Sequence, residues 1–156
     1  MQIIYMHHAE RDITNYENES DEQRQKNDIT KRGEEIAKLI SEKLKNKKIT
    51  AIYTSPYYRC KKTAEIINAN QGIDIIEDGR FNEKSSSESW PDFLKRNIQA
   101  IDDIEKKYND NDTIICITSG VNISAFICYF YKINPTEETP YSQALDISPV
   151  TFGKVD

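Results

Sequence analysis

The sequence predicts an α/β fold: a mostly parallel central sheet covered by helices on both faces, a three-layer α/β/α sandwich. Three observations lead there. Short apolar runs alternate along the chain with segments whose apolar residues recur every three or four positions. Ser, Gly, Asn and Pro punctuate the junctions between them. The length of 156 residues suits one ordinary domain with one well-formed core.

Residues 2 to 7 read as the first strand. Residues 9 to 28 are rich in Asp, Glu, Asn and Gln with almost no apolar anchors. A long excursion rather than a packed element is expected there, placed to serve as a substrate rim. Thr30 caps a helix through about 45, with Ile36, Leu39, Ile40 and Leu44 as its apolar stripe. Ile49 to Thr54 reads as a strand. Ser55 and Pro56 are the N-cap and first-turn proline of a helix carrying Cys60, Ala64 and Ile67 on one side. Ile73 to Ile76 is a short strand, followed by a polar loop over 77–89. Trp90-Pro91 opens a helix whose Phe93, Leu94, Ile98, Ile101 and Ile104 form a broad apolar face. Thr113 to Thr118 is a buried strand, Ser119-Gly120 a junction, and Val121 to Tyr131 a largely buried helix ending before Asn134-Pro135. Leu145 to Val150 supplies the last strand, with Pro149 marking a sheet edge.

Composition narrows the function. A formal net charge of -5 offers no overall attraction to nucleic acid or to an anionic membrane. The basic run Lys43 to Lys48 reads as a solvated helix end. Cys60, Cys116 and Cys128 are widely separated, odd in number and without CxxC spacing, so they read as reduced thiols rather than a disulfide framework or a zinc site. The chain enters an apolar strand with no basic leader, and Ile123 to Tyr131, its longest apolar stretch, is far short of the roughly 20 residues that span a bilayer. A soluble cytoplasmic protein is the expectation.

Both histidines, His7 and His8, sit side by side where the first apolar run turns polar. A strand feeding imidazoles into a loop suits a phosphoryl-transfer nucleophile, and equally suits two structural histidines. In a sheet of this kind ligands bind beyond the carboxyl ends of the strands, where His7-His8, Ser55, Glu83 and Ser119-Gly120 all fall.

Together these positions resemble the histidine phosphatase superfamily, the phosphoglycerate mutase-like fold, over nearly the whole chain. His7-His8-Ala9-Glu10 is similar to its Arg-His-Gly/Ala-Glu stretch. Ser55-Pro56-Tyr57-Tyr58-Arg59-Cys60-Lys61-Lys62-Thr63-Ala64 matches its Ser-Pro…Arg…Thr-Ala helix start. Arg80-Phe81-Asn82-Glu83 resembles the loop carrying the acidic proton donor, and Thr118-Ser119-Gly120 stands where Ser/Thr-His-Gly is usual. The resemblance implies that His8 attacks phosphorus, its other ring nitrogen hydrogen-bonded to fix the tautomer, and that Arg59 clamps phosphate oxygens bidentately. Glu83 then protonates the departing oxygen and later takes a proton from water. His7 is either a flanking phosphate ligand or turned away, because neighbouring strand residues alternate.

Two usual phosphate ligands are replaced, the first arginine by His7 and the second histidine by Ser119. Removing one preorganised donor costs on the order of 10²–10³ in rate. Partial repair is open to a protonated His7, a neutral hydrogen bond from Ser119, and Arg11 from the loop. The expectation is therefore a slow phosphatase of phosphomonoesters or phosphoprotein groups, favoured at mildly acidic pH where His7 is charged. The alternative is a degenerate member that binds a phosphorylated small molecule or phosphoprotein without turnover. A mutase fits the compact chain poorly, and neither a metal nor a cofactor is expected. Oligomeric state is not readable.

Overall fold

The structure, a computed structural model, describes residues 1–14 and 18–133, and the strand backbone of 152–155. Four parallel strands, β1 (Gln2–His7), β2 (Ala51–Thr54), β3 (Ile75–Glu77) and β4 (Thr113–Thr118), form the sheet with β5 (Phe152–Val155), which pairs antiparallel with β1. The spatial order is β3-β2-β4-β1-β5. Parallel neighbours require crossovers, and these carry α1 (Asp21–Lys26), α2 (Lys31–Leu44), α3 (Tyr58–Asn68) and α4 (Trp90–Lys107); α5 (Gly120–Phe130) follows β4.

The pleat sorts the core into two layers. Ile3 and Tyr5 of β1, with Ile114 and Cys116 of β4, join Phe81, Ala100, Ile101, Ile104, Ile123 and Phe126 on the α4/α5 side. Ile4, Met6, Ile115 and Ile117 join Ile40, Cys60, Ala64 and Ile67 on the α2/α3 side. Both faces of the sheet are therefore covered, as an α/β/α sandwich demands. No helix among the described residues is long and apolar enough to cross a membrane.

The expected α2 cap is present: Thr30 Oγ1 accepts from the Gly33 amide at 3.0 Å. Its apolar stripe differs, because Leu39 is 65% exposed while Ala37 is buried; the helix packs on α3 through small residues and turns Leu39 outward. Gly33 is required by close approach, since a Cβ there would lie 2.6 Å from the Glu10 carbonyl oxygen. Residues 9–28 are not wholly an excursion. They contain α1, begun by a capping box between Ser20 and Gln23, which local hydrogen bonding supports without apolar anchors. Helix α3 starts later than Ser55-Pro56 suggests: Tyr57 is its N-cap residue, and the Ser55 hydroxyl accepts from the Tyr57 amide in the preceding turn. Trp90-Pro91 does open α4, with Ser89 as cap. The three cysteines are free and buried. The strand expected over 145–150 lies outside the described residues; the edge strand described is β5.

Candidate active site

The carboxyl ends of β1, β2 and β4 meet in one place. The His8 amide donates to the Thr118 carbonyl at 2.9 Å and the Ser55 amide to that of Ile117 at 3.0 Å, so the loops leaving β1 and β2 are both sewn to the end of β4. The Ala9 amide donates to Thr63 Oγ1 at 2.9 Å, and that hydroxyl donates to the Arg59 carbonyl at 2.7 Å, tying the histidine loop to α3.

His8 is buried, and its Nδ1 lies 2.8 Å from the Ala9 carbonyl oxygen. A carbonyl only accepts, so Nδ1 carries the proton and Nε2 of the neutral ring keeps its lone pair. Burial lowers the His8 pKa well below its ordinary value, with His7 and Arg59 adding like-charge repulsion. The ring is thus held neutral.

His7 borders a small, mainly apolar crevice with Met6, Ile36 and Ile40, and its Nδ1 is buried without a hydrogen-bond partner. Its ring lies 4.2 Å from that of His8, tilted by 32°. Against the charged His7 expected beside phosphate at mildly acidic pH, burial, with repulsion from Arg59 and Arg11, pulls its pKa down to about 4.

Arg59 is fully buried in the first turns of α3. Its Nη2 donates to Glu83 Oε2 at 2.6 Å and its Nη1 to the Arg24 carbonyl of α1 at 2.5 Å. The Tyr57 ring lies 5.0 Å from its guanidinium carbon, a cation–π contact that helps fix the plane of the fork. Arg59 and Glu83 are thus joined to each other, and the Arg59 guanidinium is close enough to both imidazoles to act on them electrostatically. Arg11 reaches the same region: it repels both imidazoles electrostatically, is largely buried, and pairs with Glu19 at 3.2 Å. Ser119 sits at the N-cap of α5 without capping it, its hydroxyl donating to Asn122 Oδ1 at 2.5 Å. Glu10 faces the other way, accepting from Thr30 Oγ1 at 2.8 Å. No three His, Cys, Asp or Glu side chains among the described residues come together as a metal ion would need.

Several contributors escape a pattern reading. The Arg24 carbonyl, a backbone group, has no signature in sequence. Asn82, Asn97 and Asn122 look like ordinary loop and helix polar residues, yet Asn97 and Asn122 are fully buried and hydrogen-bonded to each other at 2.7 Å. Their only sequence signal is an amide at a position where the helix should bury an apolar side chain.

The sequence profile of the histidine phosphatase superfamily (branch 1) matches residues 3–87, which carry the histidine pair, Arg59 and Glu83. The chain belongs to this superfamily. It is 34% identical over 80 residues to a probable phosphoglycerate mutase of Photorhabdus laumondii subsp. laumondii, an alignment covering 51% of this chain and 35% of that protein. The chain thus aligns with about a third of the length of that curated relative. Among solved structures it is similar to a mycobacterial glucosyl-3-phosphoglycerate phosphatase complexed with VO3, with TM-score 0.82 and 13% identity, covering 99% of this chain and 90% of that one. A phosphoserine phosphatase mutant from Entamoeba histolytica superposes with TM-score 0.80 at 17% identity, covering 98% and 89%. The Bacillus stearothermophilus protein YhfR gives 0.76 at 20%, covering 99% and 91%. At these identities the likeness is one of fold.

Proposed function

We propose that the protein is a cytoplasmic phosphatase of phosphomonoesters that works through a phosphohistidine. His8 Nε2 attacks phosphorus, the bond to the ester oxygen breaks, and Glu83 gives that oxygen its proton. Water then attacks the phosphohistidine, Glu83 takes the water proton, and inorganic phosphate and neutral imidazole are regenerated. Arg59 holds non-bridging phosphoryl oxygens through the transfer, with Arg11 supplying further positive charge. His7, neutral at working pH, flanks the phosphoryl group as a hydrogen-bonding partner, and Ser119 contributes a hydroxyl by turning from Asn122.

The observation that carries this reading is the tautomer: the Nδ1–Ala9 hydrogen bond frees Nε2 of a neutral, buried ring beside a buried guanidinium. The superfamily relatives support it, since proteins of this fold are named for acting on small phosphate esters such as phosphoserine. The test is to mix the protein with a labelled chromogenic phosphomonoester and quench. Label trapped on wild type, acid-labile and absent from His8→Ala, is the expected result. Hydrolysis without such an intermediate, or with one persisting in His8→Ala, overturns the mechanism.

A second reading, phosphate-ligand binding without turnover, draws on the commitment of Arg59 to Glu83 and of the Ser119 hydroxyl to Asn122. Measurable phosphate affinity with no hydrolysis of any ester would select it.

A further inference from the structure

The segment that delivers Glu83 is suspended by side chains. Four successive backbone carbonyls accept hydrogen bonds from other elements: Arg80 from Arg96 Nη1 at 2.5 Å, Phe81 from Thr118 Oγ1 at 2.6 Å, Asn82 from Asn122 Nδ2 at 3.1 Å, and Glu83 from Arg96 Nη2 at 3.4 Å. Asn122 differs from the other donors because it also holds the residue that replaces the usual histidine. Its Oδ1 accepts the Ser119 hydroxyl, and its second Nδ2 hydrogen goes to Asn97 Oδ1 at 2.7 Å. Asn97 is anchored in turn to the Phe93 carbonyl of α4. On its far side Asn82 Oδ1 accepts from Ser55 Oγ at 2.7 Å, and Ser55 Oγ accepts the Tyr57 amide in the turn leading to Arg59.

The geometry points to Asn122 as a positioning residue for the proton donor: one buried amide fixes the Glu83 loop, the Ser119 hydroxyl and, through Asn82, the Arg59 turn in a single frame. This rests on the reading of Glu83 as the acid. A largely buried, connected network of this kind favours one arrangement, because each partner lost leaves a polar group unpaired. Displacing a catalytic group by about 1 Å can cost on the order of 10²-fold in rate. Asn122 touches no reacting atom; it acts through Asn82 and Ser119.

The test separates positioning from general damage by varying the leaving group. An alkyl phosphate needs protonation of its departing oxygen, whereas p-nitrophenyl phosphate, whose leaving phenolate is stable, depends on it little. In Asn122→Leu the ratio of kcat/KM for the alkyl ester to that for the aryl ester should fall by about tenfold to a hundredfold. Glu83→Gln should shift the ratio in the same direction, and Asn122→Ser serves if the leucine variant does not fold. A proportionate fall on both esters in the Asn122 variants, with the Glu83→Gln ratio shifted, overturns the positioning role and leaves the phosphatase reading intact. An unshifted ratio in Glu83→Gln instead removes Glu83 as acid, and the inference with it. If wild type hydrolyses neither ester, the phosphatase reading fails and the positioning role falls with it.

Discussion

Replacing Glu83 with glutamine should tighten the grip on an anion while it weakens hydrolysis. Arg59 Nη2 donates to Glu83 Oε2 at 2.6 Å, with the arginine side chain 0% and the glutamate side chain 22% exposed. A phosphoryl dianion reaching for the same guanidinium edge must displace that carboxylate and sit beside its charge. A hydrogen bond to a charged group contributes about 1.5–3 kcal/mol. The partial exposure of Glu83 and the neutral hydrogen bond a glutamine can still accept reduce the difference to roughly 1–2 kcal/mol. At about 1.4 kcal/mol per factor of ten, Glu83→Gln should bind vanadate or inorganic phosphate roughly 5- to 30-fold more tightly than wild type. Titration calorimetry at pH 7 reads this directly, and alkyl phosphate hydrolysis should fall by about 10²–10⁴ in the same variant. Equal or weaker anion binding would refute the reasoning, because it would mean that the anion does not compete with Glu83 for Arg59.

Further outcomes follow from the same geometry. His7 is held down to about 4 and His8 below its ordinary range, so between pH 6.5 and 4 the unfolded chain binds more protons than the folded one and stability must drop as pH falls. The loss is on the order of 1–3 kcal/mol for His7, so thermal melts of His7→Asn should lose less between pH 7 and 4.5 than wild type; parallel losses would contradict the shift. Gly33→Ala places a Cβ 2.6 Å from the Glu10 carbonyl oxygen and 2.9 Å from its amide nitrogen. That backbone cannot yield cheaply, and a cost of about 1–3 kcal/mol should appear as a Tm lowered by roughly 2–4 °C per kcal/mol. Thr63→Val removes the acceptor of the buried Ala9 amide. An orphaned amide costs about 1–3 kcal/mol, and the loosened histidine loop should lower kcat more than it raises KM.

The elements of the fold were readable where the local signal is strong. β1 and β4 fall at their expected residues, as do the Thr30 cap and the proline-opened α4. Errors arise where tertiary contact decides. Leu39 has the right spacing for the core but is exposed, whereas Ile40 of the same expected stripe is buried and Ala37 joins it. Ser55 carries the residue type of an N-cap, yet its hydroxyl is used one turn earlier, between the Tyr57 amide and Asn82. At the site, residue types bearing charge or an imidazole stood out, and the structure pairs His7 with His8 and Arg59 with Glu83, with Arg59 and Arg11 acting on both imidazoles. The protonation of His7 was not readable, because it depends on burial and on two nearby guanidinium groups contributed by distant segments.

The charge balance of the pocket bears on how a member lacking two usual donors could serve the proposed mechanism. A neutral His7 cannot replace an arginine's charge, so Arg59 and Arg11 carry the positive potential, and each is countered by a carboxylate, Glu83 and Glu19. Two buried guanidinium groups without counter-charge would be costly, and the paired carboxylates offset that cost before substrate arrives. On the proposed mechanism an incoming dianion takes over the pairing with Arg59. Glu83, released from its partner, is then free to face the departing oxygen. On that mechanism the ion pair that occupies the phosphate clamp couples substrate arrival to the release of Glu83. Both roles depend on the Glu83 loop staying in place when the ion pair breaks, and the hydrogen bonds from Arg96, Thr118 and Asn122 to its backbone do not involve the carboxylate at all.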